Sequence, residues 1–448
     1  MLKFPVFRAM LSRNYRLYFY GQSVSLIGTW MQRTAVSWVV YTLTHSSFML
    51  GLSLFCTQFP SFLLSAAGGV ISDRYHRFHV LLITQVASGV QSLLLAALIF
   101  AGWYNVWTIL AFGVVLGMIN AFDVPARQAM VYDMVDDKEN LPNALALNSS
   151  MVNLARLVGP AIAGFILHKF GYGLCFALNA ASFIAVIASL LRMKLPAYER
   201  RARTKNAFGD LKEGFRYIRN TPSIASVLLM LATMSLLVIP YATVLPIYAK
   251  DIFHGNAATF GVIDSFVGLG AISGALYLAT RTKNTEASRK KILRTNTIIF
   301  GIGLTCFAYT PWFPLAMVFA VVSGFGMMAQ TTITNTIIQT TVAPEMRGRV
   351  ISYFAMSYFG MMPIGSLLVG AVSQYAGAPN TVFAEGCIAL VVVAVFWKYL
   401  TAAKTRSAAD PAAAAAANVT AVAATNPANA ATVKSINTDT SWKKTARL

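Results

Sequence analysis

Acidic residues are scarce: 16 Asp and Glu stand among 448 residues, against 36 Lys and Arg, and charged residues of both signs make up only 12% of the chain. A soluble globular protein carries roughly 25% charged residues, because its surface must face water. That class is excluded. Apolar runs repeatedly reach the roughly 20 residues that a helix needs to cross a bilayer, so the expected fold is an all-α membrane protein with many spans.

Cysteine is scarce too. Cys56, Cys175, Cys306 and Cys387 stand singly inside apolar segments, without CxxC or metal-ligand spacing, and read as small buried hydrophobes. No metal site and no cofactor is expected. The five histidines (His45, His76, His79, His168 and His254) fall at loops or span ends, which argues against an intramembrane enzyme. There is no Walker loop, so ATP is not the driving force. The basic N-terminal arm lacks a short apolar core with a small-residue cleavage site, so no removable signal peptide is read.

What the chain has in excess is positive charge, a formal +20. Hydropathy places spans at roughly 17–42, 48–72, 79–101, 106–132, 143–168, 172–193, 223–249, 257–280, 291–310, 313–340, 348–375 and 379–400. An even number of spans puts both termini on one side. Lys and Arg concentrate on that side: in the N-terminal arm, the turn after span two, the 194–222 linker, the 281–294 loop and the tail. The basic side is cytoplasmic by the positive-inside rule, so the charge sets orientation and does not mark a nucleic-acid partner. Trp103, Tyr104, Trp107 and Trp312 fall at outer span ends, as interfacial anchors do.

The plan is two-fold: residues 1–193 form one six-helix bundle and 223–402 another. Between them, 194–222 is a cytoplasmic linker in which Phe208, Leu211, Phe215 and Ile218 recur at helical spacing. That spacing suits a helix on the membrane face or a solvated linker helix. The Ala, Thr and Asn rich 403–448 is read as a disordered cytoplasmic tail.

Two stretches carry a recognisable signature. "GVISDRYHR" (69–77) resembles the G-x-L-A-D-R-x-G-R motif between the second and third helices of the major facilitator superfamily, with Ser72 and His76 as departures. "ARLVGPAIAG" (155–164) is similar to the G-x-x-x-G-P-x-x-G-G pattern of exchangers in that superfamily, keeping Gly159, Pro160 and Gly164. Longer strings, among them "RNYRLYFYGQSVSLIGTWMQ" (13–32), "DVPARQAMVYDMV" (123–135) and "APEMRGRVISYFAM" (343–356), resemble the bacterial exporter branch that includes the enterobactin exporter and macrolide efflux pumps. The likeness covers roughly residues 8–400.

The resemblance implies twelve helices in two bundles that rock about a central site, opened to one side at a time. It also implies a cytoplasmic gate of Gly69, Asp73, Arg74, Arg77, Asp123 and Arg127, in which Asp73 meets the Arg347 to Val350 region and Arg77 pairs with Asp123. Spacing alone puts Asn120, Asp123 and Arg127 on one face of span four. The alternative is a structural turn whose arginines set topology.

Charges inside spans are expensive and face the bundle interior or a wet cavity. Gln22, Ser25, Thr29, Arg33 and Ser37 form a polar stripe on span one; Ser149, Asn153, Arg156 and Pro160 form one on span five. Gln330, Thr331, Thr334, Asn335 and Gln339 form another on span ten. Each is expected to line the cavity. Arg33 and Arg156 suit an anionic substrate or a neutralising ion pair. Asp264 and Glu385 suit proton coupling or a fixed ion pair with those arginines.

The expected partners are a small organic substrate, protons and the lipid bilayer, with the protein a monomer in the bacterial inner membrane. The leading function is export of drug-like or siderophore-like molecules by proton antiport. A lipid translocator, a solute importer and a non-transporting receptor are the alternatives.

Overall fold

The computed structural model describes residues 5–194, 207–281 and 285–401. The expected tail and residues 195–206 of the linker lie outside the described residues. The chain is helical nearly throughout the rest. Helices α1 (Arg13–Thr44), α2 (Ser47–Arg74), α3 (Arg77–Phe100), α4 (Val106–Met134), α5 (Leu141–Phe170) and α6 (Tyr172–Leu191) come first. After the linker helix α7 (Ala207–Asn220) comes α8 (Pro222–Leu237), which continues through a 3-10 turn at Ile239–Val244, the short α9 (Leu245–Ile247) and a π turn at Tyr248–Ile252. Then follow α10 (Ala257–Ala279), α11 (Glu286–Ala308), α12 (Phe313–Thr341) and α13 (Pro344–Ala355). A π turn at Met356–Gly360 joins α13 to α14 (Met361–Ala376), and α15 (Ala378–Thr401) is last.

Local chemistry sets these boundaries. Ser46, Asn105 and Thr285 each accept a bond from a backbone N–H of the helix that follows, and Asn256 and Thr259 form a reciprocal capping box at the start of α10. Gly171 and Gly377 end α5 and α14 with φ of 80° and 82°, a conformation only glycine adopts without strain. The break after α8 falls at Pro240, which has no N–H to give to a helical ladder.

Among the described residues, ten helical segments are long and apolar enough to cross a membrane. Two more long helices, α1 and α11, are too polar to qualify. The first carries Arg33 and a run of Gln, Ser and Thr, and the second opens on Glu286, Arg289, Lys290, Lys291 and Arg294. The basic loop expected at 281–294 is therefore mostly helix. Lys290 is buried there beside Glu286 at 2.8 Å, one helical turn away.

Helix α1 packs on α5 and α6, α2 on α4, and α3 on α4 and α6; later in the chain α10 packs on α12, and α11 on α12 and α15. Contact between the first six helices and the later ones concentrates on two seams, α5 with α10 and α2 with α14. The linker helix α7 docks on α13: Glu213 meets Arg349 at 2.8 Å and the Tyr353 hydroxyl donates to the Leu211 carbonyl at 3.0 Å. Ile218 is buried with Ile338, Val342 and Val350, whereas Phe215 stays exposed.

Candidate functional site: a charged cavity between two seams

Both seams are made of backbone approaching backbone. A Cβ on Gly164 would lie 2.7 Å from the Ala257 carbonyl oxygen and 3.0 Å from the Gly261 Cα of α10, and Gly268 sits 3.1 Å from the Arg156 carbonyl oxygen on the same terms. On the other seam, a Cβ on Gly370 would lie 2.6 Å from the Ser47 carbonyl oxygen. Small residues allow this approach, and van der Waals packing holds it in a membrane, where lipid is as apolar as leucine. The exchanger-type residues thus have a structural position. Gly159 admits α1, since its Cβ would lie 2.6 Å from that of Trp30, while Pro160 and Gly164 face Gly261 of α10.

Polar contacts between the two halves gather at the end of the helices that carries the α1–α2 turn. Tyr41 donates to Asp251, Lys250 lies 3.5 Å from His45, Ser46 donates to Gln374 at 2.8 Å, and Ser373 donates to Ser47 at 3.3 Å.

Between the seams lies a cavity. Its walls are Arg33, Thr34 and Ser37 of α1, Leu54 of α2, Pro240, Ala242 and Thr243 of the 3-10 turn, Phe260 and Asp264 of α10, and Met362 and Ser366 of α14. The sequence places Arg33 and Asp264 231 residues apart and on different spans; the fold puts them on one cavity wall. Thr34 donates to Asp264 at 3.3 Å, a contact the stripe reading missed because Thr34 sits just off the chosen face. Arg33 is exposed and Asp264 half-buried. Arg156 reaches the same region from α5: its guanidinium lies 5.7 Å from the Trp30 ring centre, and that of Arg33 lies 5.0 Å from it.

Other predicted lining residues do not meet here. Gln22 is buried against neighbouring helices, and Thr29 turns its hydroxyl back to the Ser25 carbonyl at 2.9 Å. Asn153 likewise bonds its own helix, at the Ser149 carbonyl. On α12, Gln330 and Thr334 are buried in helix packing, and Asn335 and Gln339 bond one another on an exposed face. Period-3.6 counting gives faces but not which neighbour covers them.

Glu385 is also elsewhere. It is 2% exposed on α15, and neither carboxyl oxygen has a hydrogen-bond partner. The next residue, Gly386, packs on α11, where its Cβ would lie 2.7 Å from the Thr305 backbone nitrogen. No ion pair joins it to Arg33 or Arg156, so a fixed salt bridge with either arginine is not formed here.

The predicted gate departs from expectation in three places. Arg77 pairs with Asp133 at 3.1 Å and not with Asp123. Asp123 is buried and satisfied by Arg127 at 3.1 Å, Gln85 at 2.6 Å and Thr84 at 3.0 Å, so helices α3 and α4 are bound through it. Of the two glycines expected to let helices approach closely there, Gly68 and Gly69, only Gly68 does so, at the Ala121 carbonyl; a Cβ on Gly69 would meet nothing within 4 Å. Arg74 is exposed, and the expected Asp73 contact falls on a side chain outside the described residues.

A buried amide cluster was not foreseen. Gln32 accepts from Asn179 at 2.6 Å and from Ser92 at 2.8 Å, and donates to Gln91 at 3.2 Å, tying α1, α3 and α6 together. The signal was present as Gln91, Ser92 and Asn179 inside apolar spans. Gln32→Leu removes three buried hydrogen bonds, although Gln91, Ser92 and Asn179 each keep another, and is expected to destabilise the protein by about 1–2 kcal/mol, read as a lower melting temperature in detergent.

Residues 7–433 match a family model described as a transmembrane secretion effector. The chain is 28% identical over 389 residues to the staphyloferrin A transporter of Staphylococcus aureus, covering 85% of this chain and 95% of the relative. It is 25% identical to the multidrug efflux pump Tap of Mycolicibacterium fortuitum, over 81% and 90% of the two chains, and 25% identical to the enterobactin exporter EntS of Shigella flexneri, over 87% and 90%. The fold resembles the nucleoside transporter NupG, with a TM-score of 0.68 at 14% identity over 88% of this chain and all of that one. A bacterial homologue of the lysosomal transporter Spinster gives 0.67 at 14% identity over 88% and 97%. None of these is an enzyme; the chain belongs to the transmembrane secretion effector family of the major facilitator superfamily.

Proposed function

We propose that this protein is a secondary exporter of small organic molecules, drug-like or siderophore-like, driven by proton antiport across a bacterial inner membrane. The carrying observation is the pair of opposite charges, Arg33 and Asp264, on one solvent-reached cavity wall between the two seams. Ionic side chains in membrane helices mark substrate or ion paths. The relatives named for siderophore and drug export support the substrate class.

On this reading α1 and α11 complete twelve spans, residues 1–193 and 223–402 act as two six-helix bundles, and the α2–α3 end faces the cytoplasm with both termini. The polar contacts at the α1–α2 end then describe a state closed to the outside. Open space around Gly69 and Gly348 fits a cytoplasmic end whose helices stand apart. In the outward-facing state Gly69, Asp73, Arg74 and Arg77 would close that end. Glu385 and Asp264 are the proton-carrying groups: a buried carboxyl without a bonding partner is costly when ionised, and Asp264 faces solvent.

Proteoliposomes with an imposed pH gradient test this. Substrates found by comparing spent medium and drug susceptibility of a deletion strain are expected to move against their gradient, and to stop moving uphill when the pH gradient collapses. Transport indifferent to the gradient would make the protein a facilitator, and accumulation in the reverse direction an importer. Movement of lipid alone would make it a translocator, and binding without movement a receptor.

A further inference from the structure

The charges around the cavity do not balance. Arg33 and Arg156 flank the same indole, at 5.0 and 5.7 Å from the Trp30 ring centre, one from α1 and one from α5. Among the described residues neither guanidinium has a carboxylate within the 4.0 Å of an ion pair, and neither makes a hydrogen bond to protein. The one acid among the residues that line the cavity, Asp264, accepts a bond from Thr34 and offsets one of the two positive charges. Two cations less one anion leave a surplus of one positive charge. Asp123 and Glu385 do not redress it, since Asp123 is held by Arg127 and Glu385 is buried on α15.

Neither guanidinium is spent in an ion pair, and each presents a planar fork of N–H donors that matches a carboxylate. Cation–π contact with this one indole holds both guanidinium groups near it, as cations over an aromatic face are held. Beside that platform the wall turns apolar at Phe260, itself stacked on Trp38 with ring centres 6.1 Å apart.

Building on the export reading, we propose that the substrate is an organic anion: a carboxylate, or an equivalent pair of anionic oxygens, seats on Arg33 and Arg156 over Trp30, with an apolar or aromatic body against Phe260. The substrate supplies the counter-charge that the protein withholds. A cationic drug is disfavoured by the same surplus.

Two xanthene dyes of similar size and opposite charge provide the test: fluorescein, anionic through its carboxylate near pH 8, and rhodamine 6G, a cation. Binding to the full-length protein in nanodiscs is followed by fluorescence anisotropy without any ion gradient, corrected with empty nanodiscs of the same lipid. Fluorescein is expected to bind at least tenfold more tightly than rhodamine 6G. Arg33→Gln and Arg156→Gln are each expected to weaken fluorescein at least tenfold with unchanged melting temperature.

Equal or tighter binding of rhodamine 6G, no binding of fluorescein, or fluorescein affinity untouched by both substitutions overturns the proposal. The wild-type dye preference decides the matter even if a variant misfolds. Arginine-dependent binding of fluorescein with no movement across proteoliposomes would sink the export reading and leave the anion site standing.

Discussion

Gly164→Leu is expected to abolish transport, by at least a hundredfold, while the protein still inserts into the membrane. The Cβ alone would lie 2.7 Å from the Ala257 carbonyl oxygen and 3.0 Å from two Cα atoms of α10, and what it meets is backbone, which cannot rotate aside as a side chain would. The added isobutyl group wedges α5 from α10. Overpacking of this kind costs about 1–3 kcal/mol where side chains give way, and more where they do not. On the export reading the wedge also lifts the restraint on the outer end, so a cysteine placed at Ser37 should react with a membrane-impermeant thiol reagent from outside faster than in the parent protein. Normal transport by Gly164→Leu, with unchanged labelling, would remove the seam from the mechanism. Gly261→Leu, on the facing helix, is expected to behave alike.

The second large effect is at Glu385. Glu385→Gln keeps the size and removes the proton, and it is expected to cut uphill transport driven by a pH gradient at least tenfold while downhill exchange and folding persist. The reason is the absence of any partner: an acid with hydrogen bonds or a cation around it would have a structural duty, whereas both oxygens here lack one. A glutamine in this position loses nothing by way of contacts, so a fall in melting temperature is not expected. Asp264→Asn, on the cavity wall, is expected to weaken coupling as well, and there the Thr34 hydroxyl can still bond the amide oxygen. If both variants retain wild-type pH dependence, the coupling group lies elsewhere.

The fold was legible in the sequence wherever composition speaks. Long apolar runs, the scarcity of acids and the basic linker led to an all-helical membrane protein, and ten segments meet the length and polarity of spans. The start of α11 was misread as a loop because its residues are charged. A helix end that emerges from a membrane can carry such residues, and the Glu286–Lys290 pair one turn apart supports it.

The site was legible only in part. Arg33, Arg156, Asp264 and Glu385 are conspicuous as charges in apolar surroundings, and the structure gives each a distinct place. Which of them meet was not readable, since Arg33 and Asp264 come together only through the packing of α1 near α10. The polar stripes mix two kinds of residue: Arg33 and Ser37 of the α1 stripe line the cavity, whereas Gln22 and Gln330 are spent inside helix packing, and nothing in their spacing separates the two. Arg77, the first residue of α3, found Asp133 in the last turn of α4, ten residues beyond Asp123.

The glycine seams set different rules for different parts of the molecule. Along them a Cβ at Gly164, Gly261 and Gly268 on one seam, or at Gly51 and Gly370 on the other, would press on the facing backbone, so the composition at these positions is set by geometry. On the export reading, the cavity wall, built from ordinary side chains such as Phe260, Met362 and Leu54, is free to vary without touching the seams about which the halves would turn. Divergence in cargo could then proceed by exchanging lining residues one at a time, with the glycine seams inherited whole.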